Sequence, residues 1–131
     1  MKAIKKSVLP VLAATAWISI SEFVRNEFLF KSYWVDHYRG LGLTFPSELI
    51  NGAVWGIWSL VFAAAVYIIS RRFSLLETWL LSWVVGFILM WLVVWNLDVL
   101  PVRLLIFAVP LSLLEAYLAS WIVLKLAPVD N

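Results

Sequence analysis

Four long apolar stretches, separated by polar connections, decide what this chain can fold into. They cover about residues 8–30, 48–70, 75–95 and 101–124. Each has about 20 residues or more, and a helix rising 1.5 Å per residue needs about 20 to cross the ~30 Å hydrocarbon core of a bilayer. The connections around 71–74 and 96–100 are too short to let the chain cross the bundle, so the second, third and fourth spans run up, down and up beside one another. The expected fold is all-α: an integral membrane, antiparallel four-helix transmembrane bundle, with residues 1–131 forming one domain and the lipid bilayer as its surroundings.

Composition agrees and excludes several function classes. The chain is 64% hydrophobic and 14% charged, against roughly a quarter charged for a soluble domain. After four spans of about 20 residues there is no length left for a soluble catalytic domain. The absence of cysteine removes disulfides, thiolate nucleophiles and iron–sulfur clusters, and His37 as the sole histidine removes paired haem ligation within one chain. No cofactor is expected. A net charge of +2, with basic residues at span ends rather than in a stripe, gives no footprint for nucleic acid.

Those basic residues set the orientation. Lys2, Lys5, Lys6, Arg71, Arg72 and Lys125 fall on one side, against Lys31, Arg39 and Arg103 on the other. The positive-inside rule then places both termini in the cytoplasm, in a multi-pass protein of the cell membrane, a bacterial inner membrane being the expected one. The lysine-rich start with Ala14, Thr15 and Ala16 also has the form of a cleavable signal, but the apolar run continuing past Ala16 favours a span. Ser74 and Glu77 have capping-box spacing at the start of the third span. Arg71 and Arg72 suit a helix end, and Pro101 suits the first turn of the fourth span. The aromatic and charged segment from Lys31 to Arg39 reads as a short interfacial helix in the first outer loop, ending at Gly40.

Helices in lipid associate through small and hydrogen-bonding residues, which therefore mark inward faces. These are Thr15, Ser19, Glu22 and Asn26 on the first span, and Gly52, Gly56, Ser59 and Ala63 on the second. The third has Thr78, Ser82, Gly86 and Asn96, the fourth Ala108, Ser112, Glu115 and Ala119. Gly52 and Gly56 form a GxxxG, expected to serve packing within the chain rather than dimerisation. Of the nine tryptophans, Trp34, Trp95 and Trp121 fit an aromatic belt, whereas Trp55, Trp58 and Trp91 sit deeper and could line a cavity.

Two places could carry chemistry. One is the polar run from Ser21 to Glu27 at the outer end of the first span, joined at similar depth by Asn51, Asn96, Asp98 and Arg103. Glu22 and Arg25, three apart on a helix, can pair structurally, or can form an outward-facing pocket with Arg25 as an anion contact and Asn51 and Asn96 orienting the ligand. The other is Glu115, about 15 Å in from Lys125 and thus near the midplane, with no cation on its own helix within a turn. It reads either as a neutral carboxyl hydrogen-bonded to Ser82, Thr15 or Ser19, or as a proton or cation relay. Pro110, five residues earlier, leaves a carbonyl for Ser112 or water. The lone His37 in a wet loop gives no metal site. The candidate ligand-binding set is Glu22, Arg25, Asn26, Asn51, Trp55, Trp91, Asn96 and Glu115.

In size and helix number the chain resembles small multidrug transporters, which also use a membrane-embedded glutamate, although here the acid nearest midplane is on the fourth span. Hydrolytic, nucleophilic, phosphate-loop and dinucleotide motifs are all missing, so the expectation is a non-enzyme. It is expected to be an accessory, assembly or ligand-binding membrane component, meeting a membrane partner or a second copy. The alternative is a small oligomeric transporter or channel using Glu115 and the Glu22/Arg25 cluster.

Overall fold

The computed structural model describes residues 2–130, and all its regular elements are helices. α1 (Lys2–Phe23) widens without a break into a π turn (Val24–Leu29), and α2 (Lys31–Gly40) is the short helix expected in the first loop. α3 (Leu49–Ser70) is the second long helix. The third is composite: α4 (Leu75–Trp83), a second π turn (Val84–Ile88) and α5 (Leu89–Asn96). A 3₁₀ turn (Val102–Leu104) leads into α6 (Leu105–Leu126). Four stretches, Ile4–Leu29, Leu49–Ser70, Leu75–Asn96 and Val102–Leu126, are long and apolar enough to cross a membrane, the build of a multi-pass membrane protein.

Local chemistry sets several boundaries. The Glu77 N–H donates to Ser74 Oγ (3.3 Å) while Ser74 N–H donates to the Glu77 carboxylate (2.9 Å), the reciprocal box that starts α4. At the start of α3, Asn51 Oδ1 accepts from the Glu48 N–H at 2.9 Å. Asp98 takes a left-handed φ of 62° in the turn after α5, a conformation its short polar side chain tolerates.

α1 packs against α3 and α6, and α6 also meets α3 and α4. Between 22% and 33% of the residues in the apolar stretch of each span are buried, so most apolar surface faces outward, as expected where lipid is the solvent. The buried faces are built largely from Ala, Ser and Thr, among them Ala14, Ala63, Thr78, Ser112 and Ala119. On α6 the buried line is the one expected, from Ala108 through Ser112 and Glu115 to Ala119.

On the third span Thr78, Ser82 and Gly86 are buried as expected, whereas parts of the faces of α1 and α3 differ from expectation. On α1 the buried line is Pro10, Ala14, Ile18 and Glu22, one position round from Thr15 and Ser19. Thr15 needs no neighbouring helix, because its hydroxyl donates to the Val11 carbonyl one turn back (2.6 Å). On α3, Ser59 and Ala63 are buried, but a Cβ added at Gly52 or Gly56 would meet nothing within 4 Å. The GxxxG therefore makes no close approach inside the chain. Gly86 does: a Cβ there would lie 2.3 Å from the Phe62 ring. Asn96 is exposed at the end of α5.

Three ties fix which ends meet. Tyr67 Oη is 3.3 Å from Ser7 Oγ, and Arg71 donates to the Ala127 carbonyl, so the start of α1, the end of α3 and the chain's last turn gather together. His37 Nε2 lies 2.7 Å from the Asp98 carbonyl, joining α2 to the turn between α5 and α6.

Candidate functional site

The first span places Glu22 and Arg25 on one face at i,i+3, where they form an ion pair, both buried. Asn26 donates through Nδ2 to the other Glu22 oxygen (2.9 Å) and to the Glu22 carbonyl (3.1 Å). From α6, Glu115 brings a second carboxylate to the same guanidinium, with Arg25 Nη1 3.8 Å from Glu115 Oε1. Arg25 also lies 5.0 Å over the centre of the Phe87 ring, a cation–π contact worth most where water is excluded. Glu115 thus does have a cation, supplied by another helix rather than its own. The Glu22, Arg25 and Asn26 part of the outer polar group and the isolated acid of the fourth span are one centre.

Both residues of the Arg25–Phe87 contact sit in π turns, Arg25 in Val24–Leu29 and Phe87 in Val84–Ile88. The first turn is closed by Phe30 N–H donating to Arg25 O at 2.8 Å. Such wide turns are rare and concentrate at functional sites.

Hydrogen-bond accounting separates the three charged groups. Both Glu22 oxygens have donors. By contrast Arg25 Nη1, both Glu115 oxygens and Ser82 Oγ are buried without a hydrogen-bond partner among the described residues. The expected bonds from Glu115 to Ser82, Thr15 or Ser19 are therefore not made. Buried polar atoms are nearly always paired, and each exception needs a reason. The charge count points the same way: two carboxylates against one guanidinium leave an ionised centre one positive charge short, in surroundings where unbalanced charge is costly.

The turn carrying Glu115 is held firmly by indoles. Trp17 donates to the Glu115 carbonyl (3.0 Å), Trp79 to the Leu113 carbonyl (2.8 Å) and Trp83 to Ser112 Oγ (2.9 Å). Ser112 passes its own proton to the Val109 carbonyl (2.9 Å), not to the carbonyl that Pro110 leaves free. Behind Phe87, an aromatic wall of Phe62, Trp58 and Trp91 closes the centre, with ring centroids 5.0 to 6.0 Å apart. On the other side a groove of about 200 Å³ runs between α1 and α6, lined by Trp17, Ser21, Arg25, Leu111 and Leu114.

Of the residues singled out in the sequence, the structure brings together Glu22, Arg25, Asn26 and Glu115, with Trp91 in the wall behind them. It does not bring Asn51, Trp55 or Asn96 there. Asn51 caps α3, Trp55 is 40% exposed and packs on Trp58, and Asn96 is exposed. Phe87 and Trp17 were missed, and neither carries a polar signal that would single it out from the other rings of an aromatic-rich chain. Compared with known proteins, the chain matches no family model, no curated protein and no solved structure.

Proposed function

We propose that this is a membrane protein that works by binding rather than by catalysis, and that its ligand is a proton or a small monovalent cation held at the Glu22–Arg25–Glu115 centre. The observation carrying this reading is Glu115: a fully buried carboxyl group near the Glu22 carboxyl and Ser21, with neither oxygen in a hydrogen bond of normal geometry among the described residues, beside an arginine already engaged by Glu22. A cation there supplies both the missing charge and the missing contacts. The ties between helix ends support an antiparallel bundle, and the four long apolar helices support its insertion in a cell membrane. The end carrying Lys5, Lys6, Arg71, Arg72 and Lys125 then faces the cytoplasm, with α2 in the outer interface.

The test is flux. Full-length chain in proteoliposomes with an imposed proton or sodium gradient is expected to dissipate one of the two, and Glu115→Gln to abolish this while leaving abundance and thermal midpoint close to wild type. Flux unchanged by that substitution sinks the reading.

A second reading is an accessory or assembly subunit, favoured by α3, whose Gly52 and Gly56 face open space within the chain. Such a subunit needs no ionisable centre. Glu115→Gln would then leave complex formation intact, while Gly52→Leu would disrupt it. A purified chain that never captures a partner removes this reading.

A further inference from the structure

At the end of the bundle where the chain's last turn meets the end of α3, a cavity of about 400 Å³ opens. Ser70, Arg71, Arg72 and Ser74 line one side, Leu124, Pro128 and Val129 the other, and no carboxylate lines it among the described residues. Of the acids flanking the lining in sequence, Glu77 is folded back onto the Ser74 N–H, and Asp130, which follows Val129, is exposed. Arg71 is fixed as part of the wall: Nε and Nη2 donate to Ser70 Oγ (3.2 and 3.0 Å), Nη2 also reaches the Ala127 carbonyl, and the guanidinium lies 4.7 Å over the Tyr67 ring. Its Nη1 makes no hydrogen bond among the described residues. The Arg72 side chain makes no hydrogen bond or ion pair among the described residues. α4 starts at this cavity, and its N-terminal dipole adds partial positive charge.

We propose that this cavity binds the anionic phosphate headgroup of a membrane phospholipid. Two guanidiniums with donors to spare, one held rigid and one free to close, match a phosphate's several acceptors. The apolar surroundings favour a lipid over a free ion: Ile68, Phe73, Leu76 and Val129 are 67%, 45%, 59% and 40% exposed, and give acyl chains a surface beside the basic cavity. A basic pocket between helix ends is a known form of headgroup recognition. This site is independent of the Glu115 centre.

The experiment follows the thermal midpoint of the full chain in uncharged detergent during titration with dihexanoyl phosphatidic acid, dihexanoyl phosphatidylcholine or sodium phosphate. Phosphatidic acid is expected to raise the midpoint saturably and the zwitterionic lipid to leave it unchanged. Arg72→Gln, at an exposed side chain with no hydrogen bond or ion pair to lose among the described residues, should weaken the apparent affinity about fivefold, the loss expected for one surface cation. Lys6→Gln, exposed at the same end but outside the cavity, should bind as wild type. Three results overturn the proposal: Arg72→Gln binding unchanged, Lys6→Gln weakening it as much, or sodium phosphate binding as tightly as the lipid, which would assign the cavity to a free ion.

Discussion

Two arginines of this protein are each capped by an aromatic ring, Arg25 by Phe87 at 5.0 Å and Arg71 by Tyr67 at 4.7 Å, yet they are satisfied in opposite ways. Among the described residues Arg71 donates to neutral oxygens, Ser70 Oγ and the Ala127 carbonyl, and it is half-buried. Near a helix end the rest of its donors can be solvated, so no counter-charge is needed. Arg25 is shut in and has two carboxylates around it, one with both oxygens hydrogen-bonded and one with neither hydrogen-bonded among the described residues. The difference separates a half-exposed cluster at a helix end from a dry one in the interior. The Arg71 cluster closes a connection, whereas the Arg25 cluster keeps unused bonding capacity where an idle polar atom is most costly.

The largest expected effect tests whether Arg25 really balances both acids. Arg25→Met should destabilise the fold by about 3–5 kcal/mol, because it strands Glu22 and Glu115 in a dry interior. Adding Glu115→Gln should recover part of that loss, giving non-additive energies as neighbours in one network do. Thermal midpoints of the single and double variants in detergent read this directly. If Arg25→Met is tolerated as well as a substitution at Arg71, the two arginines are alike and the distinction fails.

Next comes the ring platform under Arg25. Gly86→Ala places a methyl 2.3 Å from Phe62 Cε2, and that ring cannot simply recede, being stacked on Trp58 at 5.0 Å and packed edgewise on Phe87 at 5.7 Å. A loss of about 1–3 kcal/mol is expected, partly relieved by a smaller residue at Phe62. Gly52→Ala, with no atom nearby, should be neutral or slightly stabilising, since alanine favours helix by about 1 kcal/mol over glycine. Below this stands Arg71→Gln, which removes the tie to Ala127 and the contact with Tyr67. Its expected cost is about 1–2 kcal/mol in thermal midpoint, with no change in cation flux.

How much of this was legible in the sequence varies with how far the cause lies from the residue. Span positions follow from runs of apolar residues, and the start of α4 from Ser74 and Glu77 three apart, both local signals. The pairing of Glu22 with Arg25 is likewise one turn of one helix. The meeting of Arg25 with Glu115 was hidden, because it depends on the register of α1 against α6 and on the π turn that contains Arg25. Inward faces were legible on α6 and at Thr78, Ser82 and Gly86 of the third span, and one position off on α1, where the buried line runs through Pro10, Ala14 and Ile18 instead of Thr15 and Ser19. The glycines show the same limit. The pair forming a motif, Gly52 and Gly56, touches nothing in the chain, while the solitary Gly86 accommodates a ring from another helix, and nothing in spacing alone distinguishes them.

The smallest effect is a difference of sign between two buried serines, and it bears most directly on the contrast between the clusters. Ser70 Oγ donates to the Tyr67 carbonyl at 2.6 Å and accepts twice from Arg71, so Ser70→Ala removes three hydrogen bonds and leaves a guanidinium with fewer acceptors. About 1 kcal/mol of destabilisation is expected. Ser82 Oγ is equally buried and makes no hydrogen bond among the described residues. Ser82→Ala therefore loses nothing already formed and removes an unsatisfied hydroxyl, so the thermal midpoint should stay level or rise. If Ser82 serves the centre, this gain in stability should come with weaker cation flux, the trade expected when a polar group is kept for binding rather than for folding. Equal destabilisation by both substitutions would instead make Ser82 a second structural tie.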